Sequence, residues 1–461
     1  MDRRGARPAC ASLFGIQNLT LRIGPTARMA PASTDDDPDM TPGPAGRLAP
    51  PGAALKTDIV VIGGGQAGLS AAYHLKQAGL VPRKKFVILD AAAAPGGAWQ
   101  FRWPSLTLST VNRIHDLPGL PFSDMASGET HVQARVAVPR YFAAYEQAFG
   151  LRVLRPVKVI LVSRRGDRFR VETDRGEFSA RGLINATGTW DAPYIPEYPG
   201  AERFQGQHLH TRDYRTPQAF AGQHVVIVGA GISALQLLGE ISKVTTTTWV
   251  TRQPPVFREG PFDDQAARAA VALVEDRVRA GLSPQSVVSV TGLPVTPAVE
   301  EMRARGVLSR HPMFTEITED GVRWANGSEV HADVILWCTG FRSSLDHLAP
   351  LMLRRPDAED GIVMTGRLAT QVASEPRIHL VGYGPSTSTI GANRAGRAAA
   401  SELLTSLAAA RPHMTCGGRG KRGRSETTSK QRNRNDRRVS ALPFTHTAKA
   451  TSKETHHGNR H

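Results

Sequence analysis

Residues 57–79, TDIVVIGGGQAGLSAAYHLKQAG, constrain the fold more than any other stretch of the chain. Residues 58–62 are almost wholly apolar and mostly β-branched, the pattern of a strand buried on both faces of a parallel sheet. Gly63, Gly65 and Gly68 then give G-x-G-x-x-G where that strand must turn into a helix. The first glycine permits the tight turn, the second lets backbone amides approach a pyrophosphate, and the third lets helix pack closely on strand. The helix runs through Leu69, Ala72 and Leu75, with Gly79 suited to its C-terminal end. A second strand, Phe86–Leu89, leads to Asp90, 22 residues beyond Gly68. At that spacing an acid reaches the ribose hydroxyls of an adenine dinucleotide; the alternative is a solvated Asp at a strand end.

The unit recurs. Val225–Val228 is a second buried strand, and Gly229, Gly231 and Ala234 form G-x-G-x-x-A before a helix through Leu235 and Leu238. The strand after it, residues 248–251, ends in Arg252, 21 residues beyond Gly231. A cation at the ribose position favours a 2′-phosphate, and so NADP over NAD, unless Arg252 is an ordinary surface side chain. Two strand exits of small residues flank this second unit, Ala186, Thr187, Gly188 before it and Cys338, Thr339, Gly340 after it. That placement predicts that the second unit is inserted into the first. A last strand at residues 378–381 and a helix at 392–409 return to the first unit, the helix N-terminus facing the cofactor. Between these landmarks the spacing predicts a helix at 140–148, strands at 157–162 and 168–172, an amphipathic helix at 264–280 and a hairpin at 314–330.

Composition excludes several classes. No apolar run approaches the roughly 18 to 20 residues of a membrane span. The N-terminus lacks a basic segment followed by an apolar core and a cleavage site, so export is not expected. Cys10, Cys338 and Cys416 are widely separated, which rules out a disulfide framework, a CxxC redox pair and a zinc knuckle; no metal site is expected and a reducing, cytoplasmic setting is the simplest inference. The net charge is +16, but residues 411–461 carry 13 Lys or Arg against 3 Asp or Glu, so 13 − 3 = +10 belongs to that tail and +6 to the remainder. Charge confined to a tail is a solvated run, and nucleic-acid binding is not expected of it. Residues 1–54, rich in Pro, Ala, Gly and Asp, read as disordered.

Just before the second unit, residues 204–214 read FQGQHLHTRDY, which is F-x-G-x-x-x-H-x-x-x-Y. Taken singly, His210 is either functional or a satisfied structural histidine, and Tyr214 is a packing residue. Taken with two ordered dinucleotide folds, Gly96-Gly97-x-Trp99 and the two small-residue exits, the run resembles the fingerprint of the flavin-containing monooxygenases over residues 55–409.

The resemblance implies an α/β fold with two Rossmann-like dinucleotide-binding domains, the NADP domain inserted in the FAD domain. Residues 55–220 and 334–410 would form the FAD part and 221–333 the NADP part, between a disordered extension at 1–54 and a basic tail at 411–461. It implies FAD on Gly63, Gly65, Gly68 and Asp90 with Gly97 and Trp99 beside it, and NADPH on Gly229, Gly231, Ala234 and Arg252. The implied activity is NADPH- and O2-dependent oxygenation of a soft N or S nucleophile on a small substrate through a flavin C4a-hydroperoxide, with His210 and Tyr214 at the site. Animal-type members place an Asn on the active-site loop; here its position falls on Ser109, with Asn112 three residues on. That departure implies leakage of peroxide. Tyr214 in place of Trp, and Trp103-Pro104-Ser105 with no following Asp, depart from the ketone-oxygenating branch. A flavin reductase or diaphorase on the same scaffold is the alternative, and a homodimer is compatible with the sequence.

Overall fold

The computed structural model describes residues 53–111, 114–124, 131–258, 264–284, 292–354 and 361–410. In chain order the elements that frame the site are β1 (Ile59–Ile62), α1 (Gln66–Gln77), β2 (Phe86–Leu89), α2 (Ala134–Ala148), β3 (Gly182–Asn185), β4 (Gln207–His210) and β5 (Val225–Val228). There follow α3 (Ile232–Ile241), β6 (Thr247–Val250), α4 (Asp264–Arg279), α5 (Pro297–Ala304), β7 (Val334–Trp337), β8 (Glu375–Leu380) and α6 (Thr389–Ala409).

Two sheets divide these strands. The first has six, in the order Met364–Thr365, Gln371–Val372, β8, β3, β1, β2. Its last four are parallel, and the two at the β8 edge are antiparallel. The second has five parallel strands, in the order Arg310–His311, β6, β5, β7, β4. Every residue of β1, β2, β3, β5 and β7 is buried, which is why these runs are apolar, Asn185 at the end of β3 excepted, rather than alternating. Strands of the second sheet come from residues 207–337, and those of the first from either side of that span, so one unit is inserted in the other.

Two strands fall on the other side of the expected divisions. Val334 of β7 pairs with both Val225 of β5 and Gln207 of β4, so β4 and β7 belong to the second sheet, not to the first. The chain leaves a sheet only at a strand's end, and the small-residue exits mark that end rather than the strand itself.

A four-stranded sheet, Ala54–Lys56, Gly176–Ala180, Arg168–Thr173, Val159–Arg165, flanks the first unit. Ala54, expected within the disordered extension, pairs there with Glu177. Helix α2 begins at Ala134, ahead of the expected 140, and runs through Pro139. Burial of Val138, Tyr141, Phe142 and Tyr145 along one face outweighs the hydrogen bond lost at the proline. The expected hairpin is three short antiparallel strands, Glu316–Ile317, Gly321–Arg323 and Glu329–His331. Helices α1 and α6 approach closely: a Cβ on Gly396 would lie 2.7 Å from the Ser70 hydroxyl and 2.8 Å from the Ala71 amide nitrogen. Among the described residues, no helix is long and apolar enough to cross a membrane. Residues 1–52, the basic tail, Cys10, Cys416 and Asn112 lie outside the described residues.

Candidate active site

The first glycine turn is built by close packing. Gly63 has φ +107°, and a Cβ there would run into the carbonyl oxygen of Ala186 at the exit of β3. A Cβ on Gly68 would run into the carbonyl oxygen of Gly63. Gly65 differs, because its nearest neighbour would be the Cα of Gly97 at 4.0 Å. Its bare backbone borders a cavity of about 400 Å3 that Gly63, Asp90, Gly97, Trp99 and Gly188 also line. Helix α1 starts at this wall with no side-chain cap, so its first-turn amides are left for a ligand. The N-terminus of α6 reaches the same cavity through Ser388 and Thr389, as expected, with Ser388 capping the helix at the Gly391 amide (3.1 Å). An adenine dinucleotide fits what this turn leaves open: bare backbone and helix amides for phosphates, and a carboxylate 22 residues on for the ribose.

Asp90 is not a solvated strand end. Its Oδ2 accepts from Arg155 Nε at 2.7 Å, and Arg155 forks onto Glu146 with Nη1–Oε2 at 2.6 Å and Nη2–Oε1 at 2.8 Å. All three side chains are nearly buried. The two carboxylates and the hydrogen bonds to them raise the Arg155 pKa despite its burial. A Cβ on Gly64 would meet the guanidinium at 2.5 Å, so this glycine gives the triad its room. Arg155 carries no local signal in the sequence, because a tertiary contact alone brings it to Asp90.

The second glycine turn repeats the construction. Gly229 has φ +141°, and a Cβ there would run into the carbonyl oxygen of Cys338 at the exit of β7. Gly231 faces open space, α3 again begins without a side-chain cap, and Ala234 is fully buried. Arg252, just past β6, is exposed and makes no hydrogen bond or ion pair with a described residue. The neighbouring Arg310 fixes the strand end instead, donating to Thr251 Oγ1 at 3.0 Å.

The expected catalytic residues do not gather in the glycine cavity. His210 is buried; its Nε2 donates to the Gly340 carbonyl at 2.8 Å and its Nδ1 accepts from the Arg212 amide at 3.1 Å. With both ring nitrogens used, and burial holding its pKa below the ordinary value, it is a neutral tie between β4 and the exit of β7. Its ring edge packs on Phe341, which does line the cavity. Tyr214 is buried between Trp103 and Phe220, and its hydroxyl donates to Glu240 Oε2 at 2.6 Å. Burial and the neighbouring carboxylate push its pKa up, so it stays a neutral hydrogen-bond donor. Ser109 bonds Thr107 at 2.8 Å and lines a separate groove of about 550 Å3 between its own loop, α3 and α5. That groove is the larger of the two, but it holds no glycine turn. Of the expected catalytic residues, His210 and Tyr214 are thus placed in buried hydrogen bonds and Ser109 at the outer groove, and Asn112 lies outside the described residues.

Several residues at the cavity carry no sequence signal. Gln66 Nε2 donates to the His115 carbonyl (3.1 Å) and to Asn393 Oδ1 (3.0 Å), which ties α1 to α6 at the cavity. Beneath the cavity, His347 donates to Asn185 Oδ1 at 2.8 Å, Asn185 donates to Thr187 Oγ1 at 3.0 Å, and Thr187 donates to the Ser344 carbonyl at 2.7 Å. Burial lowers the His347 pKa to about 4, which keeps this chain neutral.

The sequence profile of the pyridine nucleotide-disulphide oxidoreductases matches residues 60–382. A flavin-containing monooxygenase from Stenotrophomonas maltophilia is 38% identical, with a TM-score of 0.64, covering 76% of this chain and 99% of that one. An uncharacterized oxidoreductase, CzcO of Bacillus subtilis, is 32% identical over 62% of this chain and 82% of its own length. The indole-3-pyruvate monooxygenase YUCCA1 of rice is 27% identical over 62% of this chain and 77% of its own length.

Proposed function

We propose, from the premise that the chain belongs to the pyridine nucleotide-disulphide oxidoreductase family as a flavin-containing monooxygenase, that it oxygenates a soft N or S nucleophile of a small substrate with NADPH and O2. The observation that carries this reading is the pair of glycine turns, each between parallel strands of its own sheet, followed by strand ends of opposite charge, Asp90 and Arg252, at ribose spacing. The bound flavin supplies acceptance of a hydride from NADPH and delivery of one oxygen atom of O2, the other leaving as water.

The chain's own residues bind and orient. Gly63, Gly65 and the amides of α1 hold the FAD phosphates, Gly68 keeps α1 on β1, Asp90 takes the ribose, and Gly97 and Trp99 wall the ring. Gly229, Gly231 and α3 hold the NADPH phosphates, Ala234 keeps α3 on β5, and Arg252 takes the 2′-phosphate. His210 joins the two units and keeps Phe341 at the cavity. On this reading residues 55–206 and 338–410 form the FAD part and 207–337 the NADPH part, working in the cytoplasm.

One observation favours a second reading, an NAD(P)H-dependent flavin oxidoreductase that passes electrons to oxygen without oxygenating a substrate: Ser109 faces the outer groove rather than the cavity. The purified protein separates the two. It is expected to be yellow and, with a panel of tertiary amines, thioethers and a cyclic ketone, to form amine oxide or sulfoxide in proportion to the NADPH used. NADPH consumption matched by hydrogen peroxide, with no oxygenated product, would establish the oxidoreductase; a lactone from the ketone would establish ketone oxygenation.

A further inference from the structure

One end of the glycine cavity holds a cation with no counter-charge among the described residues. Two acids line this cavity, Asp90 and Asp191. Asp90 is taken by Arg155 at 2.7 Å, and Asp191 lies 3.6 Å from Arg212. Arg102 lines the same cavity, and its buried Nε has no hydrogen-bond partner. The only recorded contacts of its guanidinium among the described residues are with rings: the guanidinium carbon stands 4.9 Å from the Trp190 ring centroid and 5.8 Å from that of Trp99. Trp190 is the middle of a ladder, stacked on Phe101 at 6.0 Å and on Phe341 at 5.2 Å, with interplanar angles of 14° and 24°. Burial lowers the Arg102 pKa, as expected for a cation deprived of water.

A cation desolvated without a partner is costly, and aromatic faces compensate it in part. The ligand that completes the cavity therefore brings the negative charge. A dinucleotide's phosphates already have the glycine turn and the amides of α1, whereas Arg102 sits among aromatic rings and presents a planar fork suited to an oxyanion.

We propose that Arg102 is an oxyanion receptor in this cavity, and that its ligand is a flat, conjugated anion, a carboxylate where the substrate supplies it, whose body lies along the Phe101–Trp190–Phe341 ladder. The source of the anion is either the substrate or the bound flavin in its reduced, anionic form. The proposal rests on the reading of this cavity as the flavin site, but its test requires no turnover, so an enzyme that oxygenates nothing in the panel leaves it standing.

The experiment compares wild type with Arg102→Gln as FAD-loaded protein, using benzoate and its neutral counterpart benzamide in equilibrium dialysis. Flavin midpoint potential and FAD dissociation constant are measured alongside. A substrate-borne anion predicts that Arg102→Gln weakens benzoate about tenfold or more, the loss of a charge-assisted pair, and leaves benzamide and FAD unchanged. A flavin-borne anion predicts a lower midpoint potential in the variant with benzoate unaffected. A purely structural Arg102 predicts a lower unfolding temperature for the ligand-free variant with no change in either readout, and that result overturns the proposal, as does wild type binding benzoate no better than benzamide with the potential unchanged in the variant. Should Arg102→Gln fail to fold, Arg102→Lys decides: it keeps the charge but not the fork, so weakened benzoate or a shifted potential supports the proposal, and no change in either overturns it.

Discussion

The two dinucleotide turns share a plan and differ at the ribose end. In each, the first glycine packs against the carbonyl of the strand exit beside it, Ala186 in one and Cys338 in the other, and an uncapped helix follows. Beyond the turn, the first unit presents an acid buried in a three-membered ion network and the second an exposed arginine with no described partner. A carboxylate accepts from ribose hydroxyls and repels a phosphate there, while a guanidinium does the reverse. On the proposed reading, one turn repeated twice takes two different dinucleotides because of a single side chain in each copy.

Ranked by expected effect on stability, the largest break in this comparison is Arg155→Met. It strands Asp90 and Glu146 as two buried carboxylates without a counter-ion, a loss of about 3–5 kcal/mol. Denaturant unfolding of the flavin-free protein measures it, and the same variant should lose FAD on gel filtration. A loss under 1 kcal/mol would mean that the triad does not hold Asp90.

Acid should act in the same direction. His347 and His379 have pKa values near 4 in the folded protein, lowered by burial from 6.5. The unfolded chain takes up their protons first as pH falls, so stability that is full above about 6.5 is lost progressively toward 4. At about 1.4 kcal/mol per unit, the shift amounts to on the order of 3 kcal/mol for each histidine. His347→Gln, which retains a donor for Asn185, should flatten part of that acid limb in unfolding curves taken from pH 7 to 4; an unchanged limb would remove His347 from the account.

The glycines sharpen the comparison within each turn. Gly68→Ala places a methyl against the Gly63 carbonyl oxygen and should cost about 1–3 kcal/mol together with FAD. Gly231→Ala faces open space, so its unfolding temperature should stay at the wild-type value while the KM for NADPH rises. Equal thermal shifts in the two variants would show that the open side of Gly231 is not a ligand surface.

What the sequence made legible was what local chemistry dictates. A buried parallel strand followed by spaced glycines has few other uses, so both turns and the insertion could be read from residue order. Legibility failed where a side chain's role depends on what lies opposite. Arg155 finds Asp90 only through the fold, and Arg102 is informative only because both cavity acids are taken by other cations. His210 and Tyr214 were located by their motif, but their contacts were not: one ties two strand ends and the other bonds Glu240. Ser109 followed an alignment of loop residues, and a loop's direction is set by the groove it packs over rather than by its spacing.

The sorting of two dinucleotides by one side chain each is tested most directly at Arg252, where substitution should leave folding untouched. Steady-state kcat/KM for NADPH and for NADH is measured in wild type and in Arg252→Ala, with FAD content recorded for both. The expected result is that wild type prefers NADPH and that the variant loses this preference by about 1.5–3 kcal/mol, the worth of a charge-assisted phosphate contact, with NADH kinetics and FAD content unchanged. Equal loss for both nucleotides, or loss of FAD from the variant, would contradict the assignment of the second turn to NADPH.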